Sequence, residues 1–231
     1  MSKFQQNAGS GHVATAIPAE RILLWLGWAD KDYVAARRLL LNAYLPQGAA
    51  LGNTALEKYF KALLMFVGEQ IPRSHDIVSL CDALLLYFPN LKEVDGSFLK
   101  VLRKAYRLRY PDNLEVEFSV SLVQAKVLTE LDRTVHQIRR GFRFSRQSGR
   151  PVKTRIDEMI ETNEPDLVDG NCYFSSAQRS NLFDRLTNYY EMRVVGLDNI
   201  LEVHYQASVP DDGNFPLEGL CPQPGPKITP E

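Results

Sequence analysis

The sequence predicts an all-α protein, an up-and-down bundle of four to five helices with a C-terminal extension whose fold the pattern leaves unassigned. Two observations predict it. From Leu51 to Val67, the apolar residues Ala55, Leu56, Tyr59, Phe60, Leu63, Leu64 and Val67 recur at three- and four-residue spacing, a wide stripe on one helix. Before and after it, segments of helical spacing follow one another between proline, glycine and capping residues, with no convincing strand among them up to Phe144.

Met1 to Ala16 is polar and glycine-rich and is expected to be disordered. Pro18 suits the first turn of a helix, on which Ile22, Leu23, Leu26, Ala29, Tyr33, Ala36, Leu39 and Leu40 line one face to about Ala43. Asp30, Lys31, Asp32, Arg37 and Arg38 supply its wet face. Leu45-Pro46-Gln47-Gly48 reads as the break before the central helix, whose far side carries Glu57, Lys58 and Lys61. Gly68 stops that helix, since glycine takes the left-handed cap conformation cheaply. The two long helices make an antiparallel hairpin.

After Pro72, Ser74 or Asp76 is placed to cap a shorter helix running to Tyr87 and ended by Pro89-Asn90. Val94 to Arg109 is the next helix, with Phe98, Leu99, Leu102, Ala105 and Tyr106 apolar. Its opposite face is basic: Lys100, Arg103, Lys104 and Arg107. Pro111 ends it, because proline disfavours the helical conformation at the preceding residue. A short extended piece at Leu114 to Phe118 leads into a last bundle helix from about Ser119 to Phe144, striped by Leu122, Ala125, Leu128, Leu131, Val135 and Ile138. The bundle therefore spans 17–145, the extension 146–209 and a proline- and glycine-rich disordered tail 210–231. Within the extension a helix is expected near Ser176 to Glu191, carrying Leu182, Leu186, Tyr189 and Tyr190. Around Gly196-Leu197-Asp198-Asn199 the pattern reads equally as a hairpin or as continuing helix.

A net charge of -1 makes no global case for nucleic acid, so any such case rests on local patches. Cys81, Cys172 and Cys221 are odd in number and far apart, which argues against a disulfide framework or structural zinc and for a reducing compartment. The N-terminus lacks the apolar core of a signal peptide, and no run reaches about 18 apolar residues, so a cytoplasmic protein without a membrane span is expected. There is no P-loop, GxGxxG, HExxH or nucleophile elbow, and neither a metal nor a cofactor is expected. Trp25 and Trp28 read as core or interface.

At Ala55-Leu56-Glu57-Lys58-Tyr59-Phe60-Lys61-Ala62 the chain resembles the HEPN domain family, whose core helix carries alanine, glutamate and lysine in this way. A P-x-x-H-D turn follows, here Pro72 to Asp76, and Arg109-Tyr110-Pro111-Asp112 is similar to the R-Y-P-D signature of one branch. The resemblance covers roughly Ile22 to Ile138. It implies a helical bundle, commonly a homodimer, often encoded or fused with a nucleotidyltransferase, and either a metal-independent RNase or a non-catalytic binding module. The family's RNases use an arginine followed, after four to six residues, by a histidine. His12, His75, His136 and His204 all lack an arginine in that window, so the catalytic pair is missing.

Arg109, extrapolated along the helix, falls below Leu102 and Tyr106 on the apolar side, where a guanidinium must be paired. It reads either as an ion pair with Asp112 that fixes the turn or as a phosphate ligand in a groove such as a dimer seam. His75 either packs at the helix start or lines a pocket with Arg73 and Arg109. The ligand-binding set is thus Arg73, His75, Arg109, Tyr110 and Asp112, with Arg109 and His75 the only candidates for a non-standard catalytic pair. The basic helix face, together with the run from Arg133 through Arg139, Arg140 and Arg143 to Arg155, reads either as solvated surface or as a phosphate-backbone patch. Its competitor is an internal clamp in which the acidic segment after Asp157 folds back onto it. The expected function is nucleotide or RNA binding by a non-catalytic dimer, partnered by a nucleotidyltransferase. A toxin-type RNase and a ligand-free interaction module are the alternatives.

Overall fold

The computed structural model describes residues 18–141, 152–196, 199–213 and 215. The expected N-terminal disorder and Arg143, Arg146 and Arg150 lie outside them, as does most of the expected tail.

Helices α1 (Ala19–Leu41) and α2 (Leu45–Phe66) form the expected long hairpin. The break lies three residues earlier than the sequence suggests, at Asn42 to Tyr44, where Ala43 takes φ 62°. Leu45 to Gly48 are already helical, because Pro46 sits in the first turn, where its missing N–H breaks no bond. Gly48 lets the helices close up: a Cβ there would meet Leu40 Cγ at 2.7 Å. Gly68 caps the far end at φ 81°, as expected.

Asp76 caps α3 (Ile77–Leu84), its side chain accepting from Val78 N–H at 3.1 Å. Asp95 caps α4 (Gly96–Arg107) by accepting from the N–H groups of Ser97 and Phe98. A 3-10 turn at Pro111–Asn113 follows α4. Helix α5 (Gln124–Arg140) closes the bundle.

The chain is mostly helical but not all-α. Ser119–Val123, expected to begin the last helix, is strand β1, and Leu122 reaches the core from it. It pairs antiparallel with β2 (Asn188–Gly196), and β2 with β3 (Asn199–Gln206), in the order β1-β2-β3. Of the two readings at Gly196, the hairpin holds. The helix expected near Ser176 to Glu191 shortens to α8 (Arg179–Arg185), and Tyr189 and Tyr190 belong to β2. Local pattern misses β1 because its partner lies some seventy residues further on.

The extension also supplies α6 (Arg155–Glu161) and α7 (Pro165–Val168), both packed on α1, while α8 packs on α5. The first residues expected in the tail lie on this assembly. Asp211 pairs with Arg179, Asp212 with Lys126, and the Phe215 ring lies tilted against that of Phe98, centroids 5.6 Å apart.

Candidate functional site

Glu57 and Lys61, expected on the wet side of α2, are buried, as is Asn53. Their four-residue spacing aligns them in one polar stripe. The turn between α2 and α3 lies at Glu57: His75 Nδ1 is 2.9 Å from Glu57 Oε1, and Lys61 Nζ donates to the same oxygen at 2.8 Å. Glu57 is 11% exposed and His75 66%, so a buried carboxylate orients an imidazole that faces solvent. Next to it, Asp76 accepts from Ser79 and forms an ion pair with Arg103 of α4 at 3.1 Å. Desolvation alone would raise the Asp76 carboxyl; the bonds from Ser79, Val78 N–H and Arg103 hold it below the usual carboxylate range.

That ion pair ties the His75 turn to α4, at whose end Arg109 and Tyr110 stand. Arg109 is exposed, not buried: α4 stops at Arg107, so the helical extrapolation that placed Arg109 on the apolar side no longer applies. Its guanidinium Cζ sits 3.6 Å from the ring centroid of Tyr106 and 5.2 Å from that of Tyr110. Among the described residues it has no ion pair, and the expected bond to Asp112 does not form. Asp112 is exposed on the 3-10 turn. Arg73 and Lys100 are exposed as well.

The basic patch divides. On α4, Arg103 is taken by Asp76 and Arg107 by Glu115 at 2.6 Å, with Arg107 also over the Phe118 ring. On α5, Arg139 is largely buried, donating to Thr154 at 2.6 Å and pairing with Asp157 at 2.9 Å and Asp30 at 3.4 Å. Lys153 pairs with Glu161. These bonds are the internal clamp, so Arg139 faces α6 rather than a ligand. Arg140 is exposed and reaches Gln137.

A second buried network was missed by sequence reading. Arg37 forms an ion pair with Asp132, and also donates to the carbonyl oxygens of Asp166 and Asp169. Tyr33 donates to Asp132 at 2.7 Å and accepts from Asn171 at 3.2 Å. Tyr59 donates to Asp30 at 2.5 Å. Burial and the facing carboxylates raise both phenols well above their ordinary pKa, so they stay protonated donors. A signal existed: Asp30, Tyr33 and Arg37 share the helical spacing of the apolar stripe on α1.

The span holding α1 to α5 decides the relationship: the HEPN domain family model matches residues 22–141, just over half of the chain. The chain belongs to the HEPN domain family. No curated protein and no solved structure matches it. The HEPN span includes the polar stripe of α2, the His75 turn and the Arg109 surface, whereas α6 to α8 and the β2–β3 hairpin lie beyond it. HEPN domains in general have nucleotide- and RNA-related functions, often binding nucleic acids and dimerising. In this HEPN protein Arg109 is followed by Tyr-Pro-Asp-Asn-Leu-Glu-Val, with no histidine. Among the described residues no group of three or more His, Cys, Asp or Glu is placed to hold a metal ion, and no helix is long and apolar enough to cross a membrane.

Proposed function

We propose that this HEPN protein binds the phosphate of a nucleotide or RNA on the surface between the His75 turn and the end of α4, without cleaving it. The observation that carries the reading is Arg109: exposed, uncompensated by a carboxylate among the described residues, and stacked on Tyr106. Stacking fixes the plane of a guanidinium while leaving its N–H fork free for a phosphate. Tyr110, 57% exposed, offers a face on which a base stacks. Arg73 and Lys100 add positive charge, and Asp112 is an acceptor for a sugar hydroxyl. The protein acts as a homodimer, with a nucleotidyltransferase as its partner chain. The test is binding of nucleotides and short RNA by wild type and Arg109→Ala, at low and high salt. Loss of affinity in a folded variant supports the reading, and unchanged affinity refutes it.

One observation favours a second reading, metal-independent RNA cleavage. Glu57 orients His75 as a carboxylate orients a general base. Cleavage abolished by both His75→Ala and Arg109→Ala supports it; RNA left intact by the wild type rules it out.

A further inference from the structure

The β2–β3 hairpin lies outside the HEPN span, and no element among the described residues pairs with the free edge of its outer strand. β1, at the other edge of the sheet, is buried through Val120 to Val123, whereas every residue of β3 except Tyr205 is exposed. β3 reads Asn-Ile-Leu-Glu-Val-His-Tyr-Gln: long for an edge, apolar at Ile200, Leu201 and Val203, and without the lysine or proline that usually blunts one. Leu201 alone is 54% exposed.

The ladder fixes which backbone groups are free. Ala207 N–H donates to Thr187 O, and the pairing continues through Tyr189↔Tyr205, Glu191↔Val203 and Arg193↔Leu201. In an antiparallel ladder hydrogen-bonded pairs alternate with non-bonded ones, so these odd-numbered residues of β3 point their N–H and C=O groups at β2. The backbone groups of Ile200, Glu202, His204 and Gln206 therefore point away from the sheet. On β2 the even-numbered Val194 bonds to Phe118 of the other neighbouring segment, which confirms the alternation.

We propose that β3 pairs antiparallel with β3 of a second copy, about a two-fold axis through Val203. Only even-numbered residues can form the hydrogen-bonded pairs across this edge. A two-fold at Glu202 would set that glutamate against itself, and one at His204 would set the histidines together. The axis at Val203 alone puts Glu202 opposite His204 of the second copy, twice over by symmetry. These two side chains are 53% and 62% exposed and already attract each other within one chain, at 3.4 Å. The same register sets Ile200 against Gln206, Leu201 against Tyr205 and Val203 against itself. It forms about eight N–H···O bonds, two for each narrow pair, and apolar pairs on the opposite face. This dimer surface does not depend on ligand binding at Arg109.

Sedimentation of the full chain, with hydrogen exchange at residues 200 to 206, tests the pairing. Glu202→Pro removes an outward N–H together with the Glu202 carboxylate and leaves the β2 ladder intact; it halves the mass of the wild-type assembly and speeds exchange at Ile200, His204 and Gln206. His204→Glu sets carboxylates against each other and also halves the mass. Adding Glu202→Lys to it restores the assembly. An assembly whose mass Glu202→Pro leaves unchanged, in a variant with wild-type circular dichroism, overturns the proposal. So does a monomeric wild type. In that case edge protection lost on removing 216–231 assigns the edge to the chain's own tail, and an unprotected edge leaves it to a different protein. RNA affinity of Arg109→Ala is a separate readout, so either idea can fail alone.

Discussion

Arg37 on α1 and Asp132 on α5 form an ion pair with side chains 0% and 1% exposed. The pair joins the first and last bundle helices and, through the carbonyls of Asp166 and Asp169, holds the extension against them. Burying both charges is costly in itself, but removing one leaves the other stranded at several kcal/mol. Asp132→Asn is therefore expected to lose about 3–5 kcal/mol. Urea unfolding followed by circular dichroism measures it, and a loss under about 1 kcal/mol contradicts a buried charge pair.

Arg139 and Arg140 are sequence neighbours with opposite roles. Arg139→Ala strands buried Asp30 and removes the tie to Asp157, for an expected loss of about 3 kcal/mol or more. Arg140→Ala falls within about 0.5 kcal/mol of wild type, as exposed substitutions usually do. Thermal unfolding of the two variants side by side checks this; equal midpoints would refute the clamp.

Neither amide atom of buried Asn53 meets a partner among the described residues. An unpaired buried polar group costs about 1–3 kcal/mol. Asn53→Leu, similar in size, is expected to stabilise the fold by that order. A destabilised variant would mean that the amide has a partner in solution.

Asp76 and Asp157 both have carboxyl groups held below the usual value of 3.8. Desolvation opposes this at Asp157, where Thr154 N–H and Arg139 outweigh it. A depressed carboxylate contributes stability that is complete above its unfolded pKa and lost as pH falls through the lower folded value. The wild type is expected to lose more stability between about pH 5 and about pH 2 than Asp76→Asn/Asp157→Asn. Urea midpoints across that range measure the difference; parallel curves would contradict it.

Legibility in the sequence followed the range of the interactions. The α1–α2 hairpin, the Gly68 stop and the Asp76 cap are local, and each is written in adjacent residues. β1 was not legible as a strand because Leu122 also fits the helix stripe continued by Ala125 and Leu128, and only the distant β2 decides between them. The charges that went inside, Asp30, Arg37, Glu57 and Lys61, follow the same logic. Each is buried by a partner from another element or by the fold around it, which a wet-face rule cannot see. At the candidate site, the Arg109-Tyr110 and Arg73-His75 segments were legible as motifs. The Glu57 bond to His75 and the Tyr106 stack under Arg109 needed three dimensions.

The central claim is that Arg109, held on Tyr106, is a phosphate ligand. Fluorescence anisotropy of labelled short RNA, with unlabelled nucleotides as competitors, tests it most directly in wild type, Arg109→Ala and Arg109→Lys. The expected result is an affinity loss of about tenfold or more in Arg109→Ala, the worth of a charged hydrogen bond of about 1.5–3 kcal/mol. Arg109→Lys recovers part of it, since an ammonium keeps the charge but not the planar fork. The unfolding temperature stays unchanged in both. Wild-type affinity in Arg109→Ala, or no binding by the wild type, would contradict the claim.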